Sequence, residues 1–310
     1  MKNIQDYRII FMGTPLIATK VFSALIEKGF NFVALVAQED KPVGRKGIFE
    51  PVPTKKVALE HNIPVYQPHR IRKDYEFIKD LKPDLILTMA YGQIVPQGLL
   101  DIPSYGCLNL HGSLLPKYRG AAPIQRAIID GESKSGITLM EMIDKMDAGR
   151  IFAKEEIIIE DDDNYSSLCD KMSLAAINIC EKHLLKYLNG ELPGVQQNED
   201  EVTFANKISV EEEKLNLSLS THDFINYVRG LSLTPGGYLF VNDKKIKILK
   251  VHQVSSSIGE VGKLTINKRV FLQLSDGVIE LDYLQLEGKK AMDGKSFANG
   301  NKAFDGVILK

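Results

Sequence analysis

The sequence predicts an α/β protein in two parts, an open and mostly parallel sheet with helices followed by a small β-barrel. Three observations predict it. Apolar runs of strand length alternate with segments of helical period through the first 190 residues, β-rich runs joined by Asn-Asp and Asp-Gly turns fill the last third, and an aperiodic polar stretch lies between.

In order, YRIIFM (residues 7–12) reads as a buried strand, and the segment from Leu16 carries apolar positions at helical spacing until Gly29. NFVALVAQ is the next strand, KKVALEHN and YEFIKDLK are helix-like, and PDLILTMAY and GCLNLH are further strands. SGITLMEMI and GRIFAKEEIIIE read as a strand pair. The acidic run EDDDN at 160–164 then offers the groups that cap free amides, ahead of a long amphipathic helix closed by Gly190. The stretch ELPGVQQNEDEVTF lacks periodicity and reads as a linker. The expected division is a first domain over 1–189, a linker over 190–206 and a second domain over 207–310. In the second, SLSTHDFINYVRGL is a short helix, and the hairpin-forming strands after it suggest a small barrel, for which an oligonucleotide-binding type is one candidate.

Composition narrows the function. The chain has 310 residues, is 44% hydrophobic and carries a formal charge of −1, an ordinary soluble make-up. No stretch approaches eighteen consecutive apolar residues, and the first apolar run is too short for a signal peptide, so a cytoplasmic protein with no membrane partner is expected. Cys107, Cys169 and Cys180 show no CxxC spacing and no histidine cluster, so no metal and no disulfide framework is expected. Charge is uneven, with 24 Lys and Arg against 28 Asp and Glu over residues 1–206, and 15 against 12 over 207–310. The basic second part points to an anionic partner.

The candidate chemistry sits at the end of GCLNLH. Successive side chains of a strand face opposite ways, so Asn109 and His111 look the same way while Leu110 turns into the core. An amide donor and an imidazole converging on one point suit the oxyanion of an acyl-transfer intermediate, and a carboxylate would fix the imidazole. Asp147, thirty-six positions after His111 in IDKMDAGRI, supplies it; Asp144 competes, and the Asp-Ala-Gly context favours Asp147 because glycine permits a close backbone approach to a ligand. MGTP after the first strand lacks the rest of a phosphate-binding fingerprint, so nicotinamide, flavin and ATP use is not supported, and Gly13 is expected to serve a tight turn. QEDKPVGRKGIFEPVPTKK, with Lys41, Arg45, Lys46, Lys55 and Lys56, reads as a long exposed cationic loop able to reach phosphates. Lys117, Arg119 and Arg126 add cations beside the catalytic candidates.

Taken together, NLHGSLLPKYRGAAPIQ and GITLMEMIDKMDAGRI resemble the formyltransferases that use 10-formyltetrahydrofolate, and GAAPIQRAI, the DKPVGR loop, AYGQIVP and LEGKKAM are similar to those of them that act on initiator methionyl-tRNA. The resemblance implies a Rossmann-like formyltransferase domain, then an oligonucleotide-binding-type barrel that binds tRNA, in a protein expected to be a monomer. It implies a catalytic trio of Asn109, His111 and Asp147, contacts to the formyl donor from Ser113, Leu114, Leu115 and Pro116, and tRNA contacts from the loop carrying Lys41, Arg45 and Lys46. Here Arg45-Lys46-Gly47 leads into Ile48-Phe49, where the family commonly has glycine and paired lysines. The expected reaction is direct attack of the methionyl amine on the formyl carbon, with Asn109 and His111 holding the oxyanion and Asp147 orienting His111. A formyltransferase acting on a small amine would share the trio and differ in the loop and second domain. A non-catalytic nucleic-acid-binding protein on the same scaffold and a hydrolase releasing formate are the other readings.

Overall fold

The computed structural model describes residues 2–43 and 47–310. Along the chain, β1 (Ile9–Gly13) is buried at all five positions, and α1 (Leu16–Glu27) buries Ala18, Val21, Phe22 and Leu25 at the three-and-four spacing that puts them on one face. β2 (Phe32–Val36) follows. β3 (Lys41–Val43) and β4 (Ile48–Glu50) then pair antiparallel, Lys41 opposite Glu50, where the sequence reads as loop. Next come α2 (Pro53–Glu60), β5 (Val65–Tyr66), α3 (Phe77–Leu81), β6 (Leu85–Met89), α4 (Gln97–Leu100) and β7 (Cys107–His111). After α5 (Pro123–Ile129), β8 (Lys134–Glu141) and β9 (Ile151–Ile158) lie side by side. The helix after them runs as α6 (Tyr165–Ile179), a π-helical turn over Cys180–Leu184 and α7 (Leu185–Leu188). Asn164 caps its start, Oδ1 accepting from the Ser166 and Ser167 amides.

The seven strands of the first sheet are ordered β5-β2-β1-β6-β7-β8-β9, parallel from β5 to β7, with β8 antiparallel to β7. The order reverses at β1, which has β2 on one side and β6 on the other, and open α/β sheets bind ligands beyond the carboxyl ends of strands near such a reversal. Ile10, Met12, Val36 and Ile86 pack with Ile78 and Leu99 under one face. Gly13 serves close packing rather than a turn, because its φ is not positive and a Cβ there would stand 2.7 Å from the Met89 carbonyl oxygen.

Two compact units emerge. One holds residues up to 120, 135–157 and 169–204; the other holds 121–134, 158–168 and 205–310. In the second, α8 (Thr221–Leu231) starts at Ser220, whose hydroxyl accepts from the Asp223 amide, and buries Phe224, Val228 and Leu231. β10 (Gly237–Val241) and β11 (Lys244–Ser255) form a hairpin whose turn residues, Asn242 and Asp243, both have positive φ as a two-residue turn of this hand requires. β12 (Leu264–Asn267), β13 (Arg269–Gln273), β14 (Val278–Leu286) and β15 (Met292–Asp293) complete an antiparallel sheet ordered β10-β11-β14-β13-β12, with β15 on β14. Register breaks between β11 and β14 curl it around Leu239, Ile246, Ile248, Leu281 and, from α9 (Gly294–Gly300), Phe297. Among the described residues, no helix is long and apolar enough to cross a membrane.

Candidate active site

β7 lies between β6 and β8, which set Thr88 and Met140 opposite Asn109, and Thr138 opposite His111. Alternation buries Leu108 and Leu110 on one face and turns Asn109 and His111 to the other, the amide partly exposed and the imidazole only 5% exposed. The Asn109 side chain forms no hydrogen bond among the described residues, which leaves both its N–H groups without a protein acceptor there. Thr88, its register partner, has a buried hydroxyl that likewise lacks a partner among them.

His111 is held from two sides. Nε2 lies 2.9 Å from the Tyr118 carbonyl oxygen; a carbonyl only accepts, so Nε2 carries the hydrogen. Nδ1 faces Asp147 Oδ1 at 3.6 Å, too long for a hydrogen bond and an ion pair only when the ring is protonated. The second carboxylate oxygen of Asp147 accepts from the Gly120 amide at 2.8 Å. Asp144, on the same turn between β8 and β9, is exposed and makes no ion pair or hydrogen bond among the described residues.

Asp147 occupies the left-handed region at φ +52, which aspartate tolerates better than most residues at a cost of about 1–2 kcal/mol. Two hydrogen bonds hold the backbone there: Gln197 Nε2 donates to the carbonyls of Asp147 and Gly149, both at 2.8 Å. Gly149 is needed because a Cβ would overlap the Glu141 carbonyl oxygen, so the close approach is to β8 and not to a ligand. Next to it, Arg150 bonds Glu141 at 2.9 and 3.1 Å and holds that carboxyl below its usual range.

The string after β7 faces largely inward. Ser113, Leu115 and Pro116 are buried, the Ser113 hydroxyl donating to the Lys117 carbonyl at 2.6 Å, while Leu114 is partly exposed. Thr138 braces the turn, giving its hydroxyl proton to the Ser113 carbonyl and accepting from the Leu115 amide. Of the four side chains, only that of Leu114 is more than slightly exposed.

The cations divide. Lys41 is exposed on β3 and lines a cleft of about 280 Å³ with Thr14, Gln38, Glu50, Val52 and Lys56, beyond the carboxyl ends of β1 and β2. Arg45 and Lys46 lie outside the described residues. Lys55 pairs with Asp40 at 2.6 Å. Arg119 is no surface cation: it is 1% exposed, with Nε and Nη2 donating to Gln197 Oε1 and Nη1 and Nη2 to Glu199. Arg126 pairs with Glu212 at 2.7 Å. Sequence reasoning missed Tyr118, Gly120 and Gln197, because a positive φ at Tyr118 and a bond spanning fifty residues from Gln197 to Asp147 leave no period to read.

Residues 7–182 match the family model described as formyl transferase, and residues 207–302 that of the formyl transferase C-terminal domain. The chain is 42% identical to a protein of Malacoplasma penetrans (strain HF-2) named methionyl-tRNA formyltransferase, over 99% of this chain and 98% of that one. Proteins of the same name from Mesoplasma florum and Bacillus thuringiensis subsp. konkukian are 39% and 40% identical, covering 96% and 97% of this chain and 96% and 98% of theirs. The fold is similar to that of HypX from Aquifex aeolicus, solved in complex with tetrahydrofolic acid (TM-score 0.69, 16% identity, 96% of this chain and 47% of that one). It is also similar to WlaRD, a sugar 3N-formyl transferase (TM-score 0.67, 17% identity, 93% and 100%).

Proposed function

The chain belongs to the methionyl-tRNA formyltransferase family, and from that membership we propose that it transfers the formyl group of 10-formyltetrahydrofolate to the amino group of methionine on initiator tRNA. What carries the reading is likeness through both domains, at 42% identity over 99% of the chain, in a protein with an outward-facing amide, a buried imidazole and a carboxylate at one strand end. Two features support placing the donor at this end of the sheet: Asn109 has N–H groups free of partners among the described residues, and Leu114, after the same strand, is partly exposed. The donor supplies an activated formyl carbon and a nitrogen leaving group.

An α-amino group with an ordinary pKa of about 7.7–8.0 is already partly neutral near pH 7, so the site has only to orient it. Asn109 binds the formyl oxygen as negative charge develops there, a role worth about 10²–10³ in rate for one donor. The amine gives up one proton as its bond to carbon forms, and the donor nitrogen takes one as the old bond breaks. His111 Nδ1 carries that proton, since Nε2 is committed to Tyr118. While protonated, it is a second donor to the oxyanion, and Asp147 fixes the ring and balances its charge. Lys41, with Arg45 and Lys46, is proposed to meet the acceptor end of the tRNA, and the second unit to meet its phosphates. Ser113, Leu114, Leu115 and Pro116 are proposed to border the donor.

The test is transfer of labelled formyl from 10-formyltetrahydrofolate, offered charged initiator tRNA and, separately, a nucleotide-linked amino sugar. Formylation of the tRNA with little of the sugar is expected. Preference for the sugar would overturn the reading.

A further inference from the structure

We infer that Arg119 and Gln197 are positioning residues of the reaction, acting through the His111–Asp147 pair, and that the segment 197–203 is a brace built for that pair. The inference rests on the reaction proposed above. Three consecutive residues, Tyr118, Arg119 and Gly120, each hold a different piece of the pair. The Tyr118 carbonyl takes the His111 Nε2 hydrogen, the Gly120 amide donates to Asp147 Oδ2, and the Arg119 side chain grips Gln197, which holds the Asp147 backbone.

The tripeptide is itself held out of its ordinary conformation. Tyr118 has φ +62 and Gly120 φ +127. A left-handed backbone at a bulky residue persists only when the surroundings over-determine it, and such residues cluster at functional sites. The surroundings are the segment read from sequence as linker. Thr203 accepts the Tyr118 amide on its hydroxyl and the Arg119 amide on its carbonyl, both at 2.9 Å. Gln197 spends all its capacity inward, its oxygen accepting twice from Arg119 and its nitrogen donating to Asp147 and Gly149. Glu199 closes the outer end, bonded to Arg119 and, at 2.8 Å, to Lys145 two residues before Asp147.

A guanidinium 1% exposed is costly to bury, and its bonds here are directed through Gln197 at the one backbone stretch that sets where the carboxylate points. A role confined to satisfying the buried Arg119 would be met by any acceptor at position 197. A positioning role requires the amide, because only an amide accepts from Arg119 while donating to two carbonyls.

Gln197→Glu separates the two, keeping the acceptor for Arg119 and removing both donors. Its kcat should fall 10- to 100-fold with KM for methionyl-tRNA within about threefold, since small misplacements of catalytic groups carry losses of this size. Thr203→Val, a change at an exposed position, should lower kcat three- to tenfold in a protein that melts like the parent, and serves if Gln197→Glu does not fold. A second readout needs no substrate: the imidazole nitrogens of His111, followed by NMR in protein with labelled histidine, should titrate differently in parent and variant. An inactive parent would end the proposed function and leave this NMR comparison to judge the brace. Parental kcat together with a parental His111 titration in a folded Gln197→Glu or Thr203→Val protein would overturn the inference.

Discussion

The two halves of the site are placed by different physics. Asn109 and His111 stand on a strand hydrogen-bonded on both sides, and the two-residue period of that strand alone makes them face one way. Asp147 stands on a turn with a left-handed backbone, and its position is the sum of bonds from Gly120 and Gln197, themselves fixed by Arg119, Thr203 and Glu199. The strand half cannot shift without breaking the sheet. The turn half has many supports, each worth about 0.5–1.5 kcal/mol net, and can be loosened by degrees.

If the comparison holds, substitution in the strand half is all or nothing. Asn109→Ala should lower kcat by about 10²–10³ with a melting temperature near that of the parent, because the side-chain amide bonds nothing among the described residues. Near-normal turnover in the folded variant would remove the oxyanion role. The turn half is sharpened by its two carboxylates. Asp147→Asn keeps shape and loses charge, and should lower kcat by about 10²; Asp144→Asn, at an exposed position, should change it less than threefold. Equal losses would mean that the contact with His111 does not mark the working carboxylate.

This division decided what could be read in advance. β1, α1, β2, β6, β7, the β8–β9 pair, the long helix and the β10–β11 hairpin follow from periodicity and turn chemistry, and Asn109 and His111 followed with them. The β3–β4 ribbon did not, since Pro42 and a cation-rich stretch disguise strands of three residues. Gly13 and Gly149 were legible as glycines but not in their reasons, which are the Met89 and Glu141 carbonyls. The segment 191–204 shows no period because its order comes from Gln197, Thr203 and the bridges of Val195 to Ile151 and Phe204 to Arg119, all long-range. Arg119 reads as a surface cation for the same reason: one sequence cannot show that its partners lie seventy-eight and eighty residues away.

Smaller effects probe the edges of the turn half. Bonds from Arg119 and Lys145 hold the Glu199 carboxyl at about 2, below its ordinary 4.5. A depressed carboxyl stabilises the fold fully above its unfolded value and loses that contribution as pH falls through the folded one. The difference in melting temperature between parent and Glu199→Gln should therefore be constant above about pH 4.5 and shrink as pH drops toward 2. A difference that vanished near pH 7 would place the titration elsewhere. The smallest effect is expected far from the chemistry. Lys41→Ala should weaken tRNA binding modestly and reduce the slope of log Kd against log salt by about 1, as loss of one phosphate contact does. An unchanged slope would free Lys41 of that role.

The most direct measurement is a double-mutant cycle on turnover with His111→Ala, Asp147→Asn and the two combined. If the imidazole and the carboxylate work as one unit at the end of β7, the double variant should be no slower than the worse single variant, to within about threefold. Losses that multiply would show two groups acting independently, and would contradict the pair.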